Sequence, residues 1–365
     1  MTTEEIKIFA KTIGVDLIGF TDASPLKGIE EKFLKRKLNN QISELGPNSL
    51  EEKTSPIRML DSCKSIITIG IPYELTDYQK ANKYGHMSSG GIGTDYHKIL
   101  WSSLEKIVEY IEKNSKEKIN YKICVDTCPL SDRAIAFSSG IGYYGKNNFI
   151  ISKKYGSAIN IGYILIDKVF LKAKDIMKNQ CGTCTLCIDS CPGQAIVADG
   201  FEINQCISQL TQTKKELSYF QRELMDKNIY GCDICQRVCP KNADVSTDNT
   251  EQSQIDLIDL IHLSNSDFKN KFKDRGFSWR GNSVIKRNAI IALGNEQVKE
   301  NYDELLFLLD HPSVTLKKYT LWALYKSDKK RFNRIDITNK DLAIEKERIL
   351  EYYKKKLMGG KHESN

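Results

Sequence analysis

The chain has 365 residues, 40% of them hydrophobic and 28% charged, with a formal net charge of +7. That length suits two or three domains, and the ordinary apolar content permits a large core. The start, Met1-Thr-Thr-Glu-Glu, is acidic, and no apolar run approaches the ~20 residues of a spanning helix, so a soluble, cytoplasmic protein without a membrane partner is expected.

Taken in order, Thr2 to Ile13 reads as a helix, with Thr2 and Glu5 as a capping box and Gly14 as its stop. Val15–Phe20 reads as a strand, Ile29–Leu38 as a charged helix and Ser65–Ile71 as a buried strand. Ser88-Ser-Gly-Gly-Ile-Gly93 is a glycine loop before a helix from Thr94 to about Lys113, whose core face is Leu100, Leu104, Ile107, Val108 and Ile111. Such a loop can receive a phosphate, but the spacing is no standard phosphate motif and a plain loop is at least as good a reading. Tyr121–Val125 is a short strand, Ser131–Ser139 a helix, and Phe149–Ser152 and Ala158–Ile166 two more strands. This mixture to about residue 170 suggests an α/β or α+β sheet domain.

Eight of the eleven cysteines lie between Cys181 and Cys239. Cys181, Cys184, Cys187 and Cys191-Pro192 follow the C-x2-C-x2-C-x3-C-P ferredoxin run, and Cys232, Cys235 and Cys239-Pro240 nearly repeat it. In that pattern the fourth cysteine ligates the other cluster. The first [4Fe–4S] cube is therefore expected on Cys181, Cys184, Cys187 and Cys239. The second is expected on Cys191, Cys232 and Cys235, with the isolated Cys206 as fourth ligand. Zinc uses C-x2-C pairs but not this doubled spacing, and disulfide frameworks suit small secreted domains. Cys63 and Cys124 lie on apolar strands and read as packing residues.

Asn242–Ser253 is polar and reads as a linker. Beyond it only helical periodicity remains, in Ser283–Leu293, Tyr302–Leu309 and Ser313–Tyr325, resembling HEAT-type pairs. From Arg280 onward 18 Lys/Arg stand against 12 Asp/Glu. A basic domain beside a redox segment suits a polyanionic partner, although charge alone fits a solvated surface better. The expected division is 1–170, an α/β catalytic domain; 171–245, a ferredoxin-like module; 254–350, a helical domain; and 351–365, a basic, disordered tail.

Clusters carry electrons but select no substrate. Asp95-Tyr-His-Lys98, Val125-Asp-Thr-Cys-Pro129, Arg133, Gly140-Ile-Gly142, Gly145-Lys-Asn-Asn148, Cys206-Ile-Ser-Gln-Leu-Thr211 and Ile229-Tyr-Gly-Cys232 occur in this order. The ordered set resembles the epoxyqueuosine reductase family over about residues 10 to 325. The resemblance implies a cobalamin-binding domain, a two-cluster module and a helical domain holding tRNA, in an architecture similar to reductive dehalogenases. It implies reduction of epoxyqueuosine to queuosine at the wobble position of tRNA, with cobalamin fed by the clusters and an electron donor of unknown identity. A monomer is expected.

By the same resemblance Asp126 is the proton donor, which requires a partly desolvated carboxyl; without it Asp126 would read as a turn residue. The implied cobalamin contacts are Lys53, Ser89, Asp126, Ile150, Ser208, Lys215, Gly231 and Asp233. For tRNA the candidates are Trp279, as a stacking platform, and Arg280, Lys286, Arg287, Lys317 and Lys318 as charges. Cys128 stands where the family has a smaller residue and is expected to be inert packing, and Lys53 replaces the family's basic residue in altered context. His97 is expected to be a structural helix residue. The alternatives are a corrinoid dehalogenase acting on a small organohalide and a non-catalytic electron carrier.

Overall fold

The computed structural model describes all residues except 47–48, 77–80, 116, 175, 198–199, 246–253 and 360–365. The capping box on Thr2 and Glu5 forms at the start of helix α1 (Thr3–Thr12). Strands β1 (Leu17–Asp22), β2 (Ser65–Pro72), β4 (Tyr121–Cys124) and β5 (Ile159–Ile166) make one sheet in the order β1-β2-β5-β4, with every pairing antiparallel. The domain is thus α+β rather than a parallel α/β sheet. The two central strands, Ser-Ile-Ile-Thr-Ile-Gly-Ile-Pro and Ile-Asn-Ile-Gly-Tyr-Ile-Leu-Ile, are β-branched and covered on both faces.

Helix α2 (Tyr96–Asn114) covers one face through Leu100, Leu104, Ile107, Val108 and Ile111, the face its 3.6-residue period marks. Helix α3 (Asp132–Ser138) covers the other. Gly19 is required where β1 meets α3, because a Cβ there would sit 2.0 Å from the Ser139 carbonyl oxygen.

A second sheet was not expected. Strand β3 (Tyr84–Met87), ahead of the glycine loop, pairs in parallel with β6 (Asn228–Tyr230) and antiparallel with β7 (Gln254–Asp256). It stitches together the three segments the sequence had divided. One apolar core likewise runs from Met87 through Leu210, Met225 and Ile229 to Leu257, Ile290 and Trp322.

At its centre is helix α4 (Asn282–Glu296), buried almost throughout and packed on α5 (Val314–Ser327). Helix α6 (Lys340–Leu357) closes the helical region. The expected tail is therefore helical as far as Leu357, and its last residues lie outside the described ones, as does most of the expected linker.

Candidate functional site

Strand β4 ends at Cys124, and the chain turns through Asp126 with φ +54°, a left-handed conformation that aspartate tolerates better than most residues. Cys124 and Cys128 are joined in a disulfide that brackets Asp126. This corrects the reading of both as packing thiols; Cys63 is the buried free thiol of that core. The start of α2 faces the turn. Tyr96 Oη donates to Asp126 Oδ2 at 2.8 Å, and His97 Nε2 lies 3.9 Å from the same oxygen. His97 Nδ1 is 2.7 Å from Asp95 Oδ1, and Asp95 also accepts the His97 backbone N–H as the helix cap. The Asp126 side chain is 60% exposed, so the protein alone does not supply the expected desolvation.

Asp132, at the start of α3, is buried beside Tyr163, and burial, then the charge of Asp126, pushes its carboxyl up to about 7. Around it stand Lys53, Arg133 and Arg36. Burial, then Arg133, holds the Lys53 ammonium below its usual range, and burial, then Arg133, does the same to Arg36. Arg133 also lowers the Cys206 thiol, which burial raises. The polar region around Asp126 therefore reaches the cysteine segment.

The eight segment cysteines are free and fall into two groups by mutual influence. Burial, then Cys239, Cys181 and Cys184, raises the Cys187 thiol. Burial, then Cys206 among its neighbours and Cys191, pushes Cys232 up to about 12, and burial with the charges of Cys232, Cys206 and Cys191 raises Cys235 well above the usual thiol range.

The expected cofactor contacts divide. Lys53 is half-buried, its ammonium over the Phe33 ring at 5.6 Å. Lys215 is exposed and lies 4.0 Å from Glu44, and Ser208 Oγ accepts from Gln212. Gly231 has φ +70°, and a Cβ there would lie 2.2 Å from Ser88 Oγ, so it allows the cysteine loop to close on the glycine loop. Three of the expected residues have their side chains engaged within the protein. Ser89 donates from its backbone and Oγ to Asp233 Oδ2 at 2.6 and 2.7 Å, so these two buried groups satisfy each other. Ile150 is buried against Ala136, Ile141 and Ile159.

The expected RNA contacts divide likewise. Trp279 is 54% exposed and its Nε1–H donates to Tyr230 Oη, with the Arg280 guanidinium 5.0 Å from its ring. Lys317 and Lys318 are half-exposed. Arg287 and Lys286, by contrast, are buried struts. Arg287 donates to the carbonyls of Thr213 and Leu210, and Lys286 to that of Leu263. Buried cations need such partners, so neither presents a free charge. Sequence reasoning missed Lys214, Lys269 and Lys273, which line a cleft of about 780 Å³ with Arg280 and Ser283. Their signal, lysines spread over 60 residues of sequence, becomes a patch only through folding.

Residues 180–242 match the family model for a 4Fe-4S double cluster binding domain, and residues 53–127 that for epoxyqueuosine reductase QueG, DUF1730. The chain is 35% identical over 337 residues to the epoxyqueuosine reductase of Bacillus cereus, covering 88% of each. It is 36% identical to that of Lactococcus garvieae, covering 80% of this chain and 86% of that one. It superposes on epoxyqueuosine reductase from Streptococcus thermophilus with a TM-score of 0.88 at 30% identity, covering 97% and 100% of the two chains. An epoxyqueuosine reductase crystallised with an epoxyqueuosine-modified tRNA-Tyr stem loop gives 0.87 at 31% identity over 96% and 98%. With its antiparallel core sheet, doubled cysteine run and a relative this similar over nearly nine-tenths of its length, the chain belongs to the epoxyqueuosine reductase family.

Proposed function

We propose that this chain reduces the epoxide of epoxyqueuosine in tRNA to the alkene of queuosine. The reading is carried by one juxtaposition: two groups of four thiols lead, through Cys206 and Arg133, to Asp132 and Asp126. We assign Cys181, Cys184, Cys187 and Cys239 to one [4Fe–4S] cluster and Cys191, Cys206, Cys232 and Cys235 to the other. Buried neighbouring thiols resist ionising together, and a cationic cluster removes that cost.

The region between them also fits a corrinoid. Lys53, Arg36 and Arg133 gather there, and the amide arms and phosphate of a corrinoid would meet these cations. Bound and reduced, the corrinoid would supply the nucleophilic two-electron chemistry that no amino-acid side chain offers. The chain's own task is then acid catalysis and positioning. Asp126 presents a proton on its carboxyl to the departing oxygen, and substrate seated over its exposed side chain provides the desolvation the free protein lacks.

Trp279 and Arg280 offer an unstacked base a platform, and the lysine cleft tracks the backbone. Among the described residues no helix is long and apolar enough to cross a membrane. We place the protein, as a monomer, in the cytoplasm where tRNA is modified, served by a low-potential electron donor. We retain residues 1–170, 171–245 and 254–350 as functional divisions rather than separate folding units.

The test is anaerobic reconstitution with iron, sulfide and cobalamin, followed by incubation with epoxyqueuosine-containing tRNA and a strong reductant. Nucleoside mass spectrometry should show queuosine. Failure to retain any corrinoid would overturn the reading.

A further inference from the structure

Removing an epoxide oxygen as water consumes two electrons and two protons: two C–O bonds break and one C=C bond forms. A single carboxyl carries one proton. If Asp126 is the donor, as proposed above, it must be recharged within each turnover.

The groups able to do this are few. Tyr96 already donates to Asp126 Oδ2, but burial, then the Asp126 charge, pushes its hydroxyl far above the usual tyrosine range, so it holds its proton. Tyr230, across the site, is likewise raised by burial, with Trp279 and Arg280 opposing and Asp126 and Asp95 adding to the rise. Lys98 is paired with Asp274.

His97 remains. Its Nδ1–H points at Asp95 Oδ1 at 2.7 Å, which fixes the tautomer and leaves Nε2 facing Asp126 Oδ2 at 3.9 Å. The Tyr96 ring stacks on the imidazole, with centroids 4.2 Å apart and planes inclined at 25°. The His97 side chain is 30% exposed, so it meets solvent, the proton source, at one edge and the donor at the other. The carboxylate that caps α2 therefore also aims a proton carrier.

We infer that His97, oriented by Asp95, is the relay that returns a proton to Asp126 between the two protonations of each turnover. In the balanced step the imidazolium gives its Nε2 proton to the Asp126 carboxylate, directly or through one bridging water, and takes another from solvent. His97 touches no substrate and acts only through Asp126.

The test uses the anaerobic holoenzyme and an epoxyqueuosine-modified stem loop. His97→Gln should lower kcat on the order of a hundredfold, the low end for a positioned acid, with KM for RNA unchanged. In His97→Ala, imidazole buffer should restore turnover in proportion to its protonated fraction. Asp95→Asn should shift the pH profile of kcat without moving KM. A His97→Gln kcat within about twofold of the parent, or a loss in His97→Ala that imidazole does not relieve, would overturn the relay.

A second readout needs no turnover. The chain has five histidines, so ¹⁵N-histidine NMR can follow each across pH. Asp126→Asn should perturb the His97 Nε2 signal and leave those of the other histidines in place; an unperturbed His97 signal sinks the inference. If the parent enzyme makes no queuosine, the proposed reaction fails instead, and the NMR coupling still decides whether the two side chains form a pair.

Discussion

The two thiol groups differ in depth. All eight cysteines are partly exposed, yet burial acts far more strongly on Cys232 and Cys235 than on Cys187 and Cys239. The first group also sits beside exposed backbone, with Lys146 Nζ donating to the carbonyls of Gly182 and Cys184. The second is walled in by the Ser89–Asp233 pair and by Gln236, which donates to Ser157 and Tyr73. A direction follows. On the proposed cluster assignment the outer group would take up electrons and the inner group would pass them on.

That contrast can be broken most sharply at the cysteines. Cys235→Ala should remove about half the iron and abolish queuosine formation with any reductant. Cys181→Ala should cost the same iron but leave slow turnover with dithionite, a reductant small enough to bypass the outer group. Equal loss in both variants, measured by iron content and product formation, would mean depth does not order the path. Next in size, Asp126→Asn should lower kcat by about 10²–10⁴ while corrinoid and iron content stay unchanged.

A third prediction concerns what holds the inner group in place. Arg287→Met strips hydrogen bonds from the Leu210 and Thr213 carbonyls, at the end of the helix that Cys206 begins. It should destabilise the protein by about 3 kcal/mol, read from denaturant melts, with no change in the salt dependence of RNA binding.

Asp132 tests the burial beside that group. Its folded-state carboxyl, raised to about 7, lies above the unfolded value. The folded form therefore binds the extra proton between those values, and stability falls as pH rises through that window. Asp132→Asn should raise Tm at pH 8 and change it little at pH 4, a difference of roughly 2 kcal/mol. The smallest effect belongs to the open surface. Lys269→Ala with Lys273→Ala should weaken RNA binding a fewfold and flatten the log–log salt slope by about 0.7 for each phosphate no longer neutralised.

How much of this was legible depended on whether the signal was local. The doubled cysteine spacing marked a two-cluster segment, and residues 180–242 match a 4Fe-4S double cluster binding domain. The faces of α2 and the capping box on Thr2 follow from periods of three and four residues. Strand β3 escaped because Tyr84-Gly-His-Met alternates in no readable way and its partners lie some 140 to 170 residues on. Arg287 escaped because one sequence does not distinguish a cation that meets phosphate from one that props carbonyls. The Cys124–Cys128 bond escaped because a C-x3-C pair in a chain expected to be cytoplasmic reads as two thiols.

The small sheet of β3, β6 and β7 limits how this molecule can be taken apart. Cutting after the cysteine segment would strip an edge from β3 and open the common core at Leu257, leaving backbone donors and apolar surface to aggregate. Fragments expressed separately should be insoluble alone and recover only when mixed. The electron-carrying insert is thus no portable cassette, because the strand that leaves it is spliced into the fabric of its neighbours.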